Sequence, residues 1–178
     1  MEHPWIALLR AVNLGPRNRV PMAALRDLLE GAGYGSVRTY IASGNVLLTA
    51  PTDDRAHLAR ELSRLVEDAF GVVTTAVLRT PGELVTVLSS HPFGDDTSRT
   101  HVSFLAGTPG PDALARLAAA DHGADRVHVA GADAFVHYPH GVQGARLTAA
   151  KLERLLGLQG TARNWRTVAA LADLLPRA

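Results

Sequence analysis

Apolar positions recur along this chain with two different spacings, and the spacing changes where the elements change. Trp5–Leu9 is an unbroken apolar run, the pattern of a strand covered on one or both faces. Gly15-Pro16 breaks regular structure. Pro21 then suits a first helical turn, where its missing N–H has no partner to lose. Met22, Leu25, Leu28 and Leu29 form the stripe of that helix, and Gly31, Gly33 and Gly35 end it. Val37–Ile41 alternates and is rich in β-branched residues. Ala42–Asn45 is a tight connection, and Val46–Thr49 is the returning strand of a hairpin. Thr52 or Asp53 caps a long helix with Leu58, Leu62, Leu65, Val66 and Ala69 on one face, closed by Gly71. Val72–Arg79 is a fourth strand, so the order is βαββαβ, that of a ferredoxin-like unit.

The order then starts again. Thr80–Glu83 opens a short helix that His91-Pro92 stops, and residues 93–100 are polar and rich in Gly and Asp. His101–Leu105 is a strand, Pro109–Asp112 starts a helix over 114–120, and 126–129 pairs with 134–138 across Gly131. Leu147–Leu156 is a helix capped by Thr148, residues 157–161 turn, and 162–175 is a last helix with Pro176 just beyond it. The second half thus reads βαββαα, a related unit whose last strand is missing or replaced by a helix. The expected fold is α+β: a ferredoxin-like first part over residues 1–80, a short helix and boundary loop over 81–100, and a second βαββα part over 101–178. The C-terminal helices are expected to pack back on the first part.

Composition narrows the chemistry. The 178 residues carry a net charge of +1, so no overall field draws the chain to nucleic acid and any basic surface is local. There is no cysteine, which excludes disulfides, thiolate nucleophiles and zinc–thiolate sites. Lys151 is the one lysine among 18 basic residues, and so the one candidate for Schiff-base chemistry. No run reaches membrane-spanning length and no secretory leader is legible, so a cytoplasmic location without membrane partners is the default expectation. The nine aromatic residues do not form the stacking pattern of an RNA-recognition sheet. His128 and His137 lie on facing strands of the second hairpin, but HExxH is absent and no third ligand is fixed, so neither a metal nor a cofactor is expected. Asp53-Asp54 and Asp95-Asp96 have adequate explanations as a helix cap and a loop. Ser43 lacks a GxSxG elbow.

Three polar segments interrupt the apolar elements. Between Arg10 and Arg19 stand Arg10, Asn13, Arg17, Asn18 and Arg19, with no carboxylate before Asp27, in a loop that opens onto a helix N-terminus. Such a loop is an anion site or a solvated surface loop; GxGxxG and the Walker pattern are both absent. Tyr40, Ser43, Gly44 and Asn45 form the second segment. Arg163, Asn164, Trp165 and Thr167 form the third, where a cation in the first turn of the last helix opposes the dipole and calls for a partner. Gathered on one surface, the three would grip an anion or form a buried polar network that locks the last helix.

RAVNLGPRNRVPMAAL, RTYIASGNVLL and LTAAKLERLLGLQGTARNWRTVAAL together resemble the bacterial domain of unknown function 1697, whose patterns run close to RGINVGGKNKIPM, YIQSGNVVF and KLT followed by TRNWNTV. The likeness spans Ile6 to Leu174 and also includes Met22. Ala11 stands for a glycine, Gly15-Pro16 for Gly-Gly and Arg146 for a lysine; Pro16 removes a backbone donor from any phosphate cradle. The resemblance implies an α+β fold with a ferredoxin-like part and assigns no activity. The expected function is a binding module for an anionic, phosphate-bearing small molecule or nucleic acid. An enzyme of unknown reaction using the same residues, and an oligomeric scaffold dimerised through the first-half sheet, are the alternatives.

Overall fold

In this computed structural model, which describes residues 1–175, the two halves are each a four-stranded antiparallel sheet with helices. The element order is β1 (His3–Leu9), α1 (Met22–Gly31), β2 (Gly35–Tyr40), β3 (Asn45–Ala50), α2 (Arg55–Phe70), β4 (Ala76–Arg79), α3 (Pro81–Ser89), β5 (Thr100–Leu105), α4 (Pro111–Ala119), β6 (Arg126–Ala130), β7 (Asp133–His137), α5 (Ala149–Leu156), β8 (Gly160–Asn164) and α6 (Trp165–Asp173). A 3-10 turn, Val142–Gly144, precedes α5. The sheet orders are β2-β3-β1-β4 and β6-β7-β5-β8, the same permutation twice. By contacts the chain divides into a first unit, residues 1–84 with Leu174 and Leu175, and a second unit, Val85–Asp173.

The first unit is organised by β1, which pairs with β3 on one side (Trp5 opposite Leu48) and β4 on the other (Ala7 opposite Leu78). One face of that sheet sends Trp5, Ala7 and Leu9 against Leu25 and Leu29 of α1 and Leu58, Leu62 and Val66 of α2. Each such leucine removed from water contributes about 1.5–3 kcal/mol. Asp54, not Thr52 or Asp53, caps α2 by accepting from the His57 amide at 2.9 Å, while Thr52 Oγ1 accepts from the Asp54 amide. The second unit repeats the plan with Ala113, Leu117, Leu152 and Leu156 of its two helices against Leu105, Ala134 and Val136.

Two expectations need correction. The expected strand over 72–79 is regular only from Ala76 to Arg79; Val73 is 75% exposed, so its β-branched run was not evidence of burial. More important, residues 160–164 are a strand, not the end of a turn and the start of a helix. Strand β8 pairs antiparallel with β5, Val102 opposite Arg163, and completes the second βαββαβ unit. Its buried residues are Gly160, Thr161 and Arg163, so no apolar alternation announces it. The expected proline stop at Pro176 lies outside the described residues.

Candidate functional site

The β1–α1 loop is held by its asparagines. Asn13 Nδ2 donates to Val20 O at 2.9 Å and to Ala42 O at 2.7 Å, and its Oδ1 accepts from the Val20 amide at 2.8 Å. The Asn13 amide donates to Asn18 O at 2.8 Å, and Asn18 Nδ2 donates back to Ala11 O at 3.2 Å. Buried Val12 and Val20 pin the two ends, and residues 14–19 stand exposed between them. The main chain of Arg10 is stitched to the approach of β4: its amide donates to Thr75 O and its carbonyl accepts from Thr74 Oγ1.

The β2–β3 turn leans on this loop. Asn45 is fully buried, and its Nδ2 donates to Tyr40 O and Ser43 Oγ, both at 2.9 Å. The Leu9 amide donates to Gly44 O at 2.8 Å. Gly44 has φ +82, and a Cβ there would stand 2.6 Å from Val12 Cγ2. Among the described residues, four of the five non-glycine positions with positive φ lie in this loop and turn: Ala11, Asn13, Asn18 and Ile41. Asparagine tolerates that conformation, but a β-branched isoleucine at φ +47 is strained. Ile41 and Leu14 are also exposed, by 51% and 68%. The structure therefore brings two of the three expected polar segments together and uses their amides to fasten backbone to backbone.

Charge on the loop is left over from that network. Arg17 and Arg19 are exposed and form no ion pair among the described residues. Helix α1 begins at Met22 behind Pro21, with no side-chain cap and no acidic residue in its first turn. The first-turn amides and the positive end of the dipole thus have no side-chain cap and no acidic neighbour within that turn.

The third segment belongs to the second unit, and its residues have contacts of their own there. Arg163 sits on a strand, not in a first helical turn, so the argument from the helix dipole does not apply to it. The residue is 7% exposed, and its guanidinium donates to Thr161 Oγ1 at 2.6 Å and Ala162 O at 2.9 Å. Burial pulls its pKa down to about 10, which leaves it charged at neutral pH. Asn164 caps α6, its Oδ1 accepting from the Thr167 amide at 2.8 Å. Trp165 packs edge-on against His91, ring centroids 4.7 Å apart, and lies 6.4 Å from Phe135. Thr167 is buried. Each of these four residues has a structural task.

The first unit also holds a cleft that the residue pattern did not announce. It encloses about 310 Å³ between Pro4, Leu47, Pro81 and Leu174, with Ser36 and Arg38 at its border. Nearby, Gly35 begins β2, and the pairing of β2 with β3 is irregular between Gly35 and Arg38. Among the described residues no group of three or more His, Asp or Glu is placed to hold a metal ion, and no helix is long and apolar enough to cross a membrane.

Comparison with known proteins places the chain without naming its work. The model of a family described as protein of unknown function (DUF1697) matches residues 2–135, which include the loop, the turn and the cleft strands but stop short of Arg163. No curated protein sequence matches the chain. Among solved structures it is similar to the conserved bacterial protein SP0830 from Streptococcus pneumoniae, with a TM-score of 0.78 and 21% identity, covering 99% of this chain and 100% of that one. At that identity the likeness speaks to the fold.

Proposed function

The chain belongs to the DUF1697 family of proteins of unknown function, and on that premise we propose that it is a binding protein for a small phosphate-bearing anion, held where the β1–α1 loop meets the N-terminus of α1. One observation carries the reading: the uncapped, acid-free first turn of α1 follows directly on a loop whose exposed Arg17 and Arg19 have no carboxylate partner. Helix amides, dipole and guanidinium groups all favour the same ligand charge. The asparagine network supports it further, because a loop already fixed in place loses little entropy on binding. A net charge of +1 and only two exposed loop arginines favour a compact phosphate over a nucleic-acid backbone, which needs a tract of cations. Catalysis by the same segments has less behind it, since the amides of Asn13, Asn18 and Asn45 are engaged with the protein's own groups.

Calorimetric titration with inorganic phosphate and with ADP tests this. The wild-type chain should bind, and Arg17→Ala/Arg19→Ala should lose about tenfold or more in affinity, the worth of one or two charge-assisted bonds. Exposed residues of this kind should leave stability within about 0.5 kcal/mol. Equal binding by both proteins, or no binding at millimolar ligand, refutes the reading.

A further inference from the structure

We propose that the first unit carries a second binding site, at the other end of its sheet from the loop, which takes a small amphiphilic carboxylate with its apolar body in the cleft and its head on Arg38. The register fixes the location. Leu8 and Asn45 pair at the loop end of the sheet, whereas Pro4, Gly35 and Thr49 meet at the cleft end.

The cavity suits a compact ligand. Its 310 Å³ holds about ten groups the size of a water molecule, at the lower end of the range for ligand pockets. Pro4, Leu47, Pro81 and Leu174 line it together with Trp5. Trp5 is held in place before any ligand arrives. Trp5 Nε1 donates to Thr52 O at 3.1 Å, the Arg55 guanidinium lies 5.5 Å from the indole ring centre, and Glu83 holds Arg55 through both carboxylate oxygens at 2.8 Å.

The border supplies the polarity. Among the described residues of the lining Arg38 is the one charged side chain, joined by the hydroxyl-bearing Ser36 and Thr49. The Glu2 carboxylate stands near Gly35 but outside the lining. Between Gly35 and Arg38 the pairing of β2 with β3 slips, and Ser36 takes φ +50. A bulge of this kind bends its strand and re-aims a side chain, and strain is retained where the surrounding structure enforces it. Arg38 Nη1 donates to Leu174 O at 3.2 Å, which anchors the guanidinium beside the apolar wall. A guanidinium carries five N–H donors in a planar fork that matches a carboxylate, so one bond to a carbonyl leaves donors over. An apolar cavity with a single anchored cation at its lip selects an apolar body with one negative end.

Sodium octanoate, with ten heavy atoms, is the probe, and the full chain is titrated by calorimetry while the Trp5 indole N–H resonance is followed by NMR. Octanoate should bind saturably and move that resonance. Acetate and 1-octanol should each bind at least about tenfold more weakly, one lacking the body and the other the charge. Arg38→Ala, at an exposed position that leaves the fold intact, should lose about tenfold for octanoate and nothing for octanol. Inorganic phosphate should leave octanoate affinity unchanged, which separates this site from the loop. Octanoate affinity indifferent to Arg38, octanol binding as tightly as octanoate, or no saturation below about 10 mM would overturn the proposal.

Discussion

Gly44 shows how little room the candidate site leaves for chance. Its φ of +82 already favours glycine, and an added Cβ would stand 2.6 Å from Val12 Cγ2 and 2.9 Å from Leu9 Cβ, both on buried residues. Neither is the far end of a flexible chain, so the turn would have to lift off the loop. Gly44→Ala should therefore cost about 2–4 kcal/mol in urea unfolding, combining backbone strain with overpacking. The identity of the residues here was legible: three asparagines and a glycine in segments that interrupt apolar runs. Their partners were not. Asn13 bonds Ala42 across 29 positions, and no spacing rule links a β1–α1 loop to a β2–β3 turn. Arg38 escaped notice for a different reason. It reads as one polar residue on an alternating strand, and what sets it apart is a bulge and a carbonyl 136 positions away.

At the scale of elements, the strands and helices that bury leucine and valine were legible, and the one that buries polar groups was not. α1 and α2 each present an apolar stripe with the helical period, and β1 and β3 are largely unbroken buried runs. β8 buries Gly160, Thr161 and Arg163 and leaves Ala162 and Asn164 exposed, so its buried positions are not the apolar ones. Its boundary with α6 depends on Asn164, which belongs to the strand by pairing and to the helix by capping. Asn164→Ala should destabilise the chain by about 0.5–2 kcal/mol, with faster hydrogen exchange at the Thr167 amide that the side chain now holds, and Asn164→Asp should restore most of the loss. Unchanged exchange at Thr167 would mean that α6 begins without this cap.

For the whole molecule, the same βαββαβ order occurs twice, and the second copy supplies a pH dependence that the net charge of +1 does not. His101 lies on β5, central in the second sheet, opposite Val136 and Asn164 and with its ring centre 5.3 Å from that of Tyr138. Its Nδ1 is buried without a hydrogen-bond partner among the described residues. Burial therefore disfavours the charged imidazolium and lowers the pKa of His101 in the native state. A histidine of the unfolded chain takes up its proton near pH 6.5, before the native one does. Stability is thus highest above about pH 6.5 and declines from there toward the lowered native value, because the unfolded state binds the extra proton. One proton sets the ceiling on this slope at about 1.4 kcal/mol per pH unit. Urea unfolding at pH 7.5 and 5.5 should show the wild-type chain losing stability on acidification. His101→Gln, which cannot take up the proton, should reduce that loss even if it lowers stability at both pH values. A variant that kept the full wild-type dependence would show that His101 does not carry it.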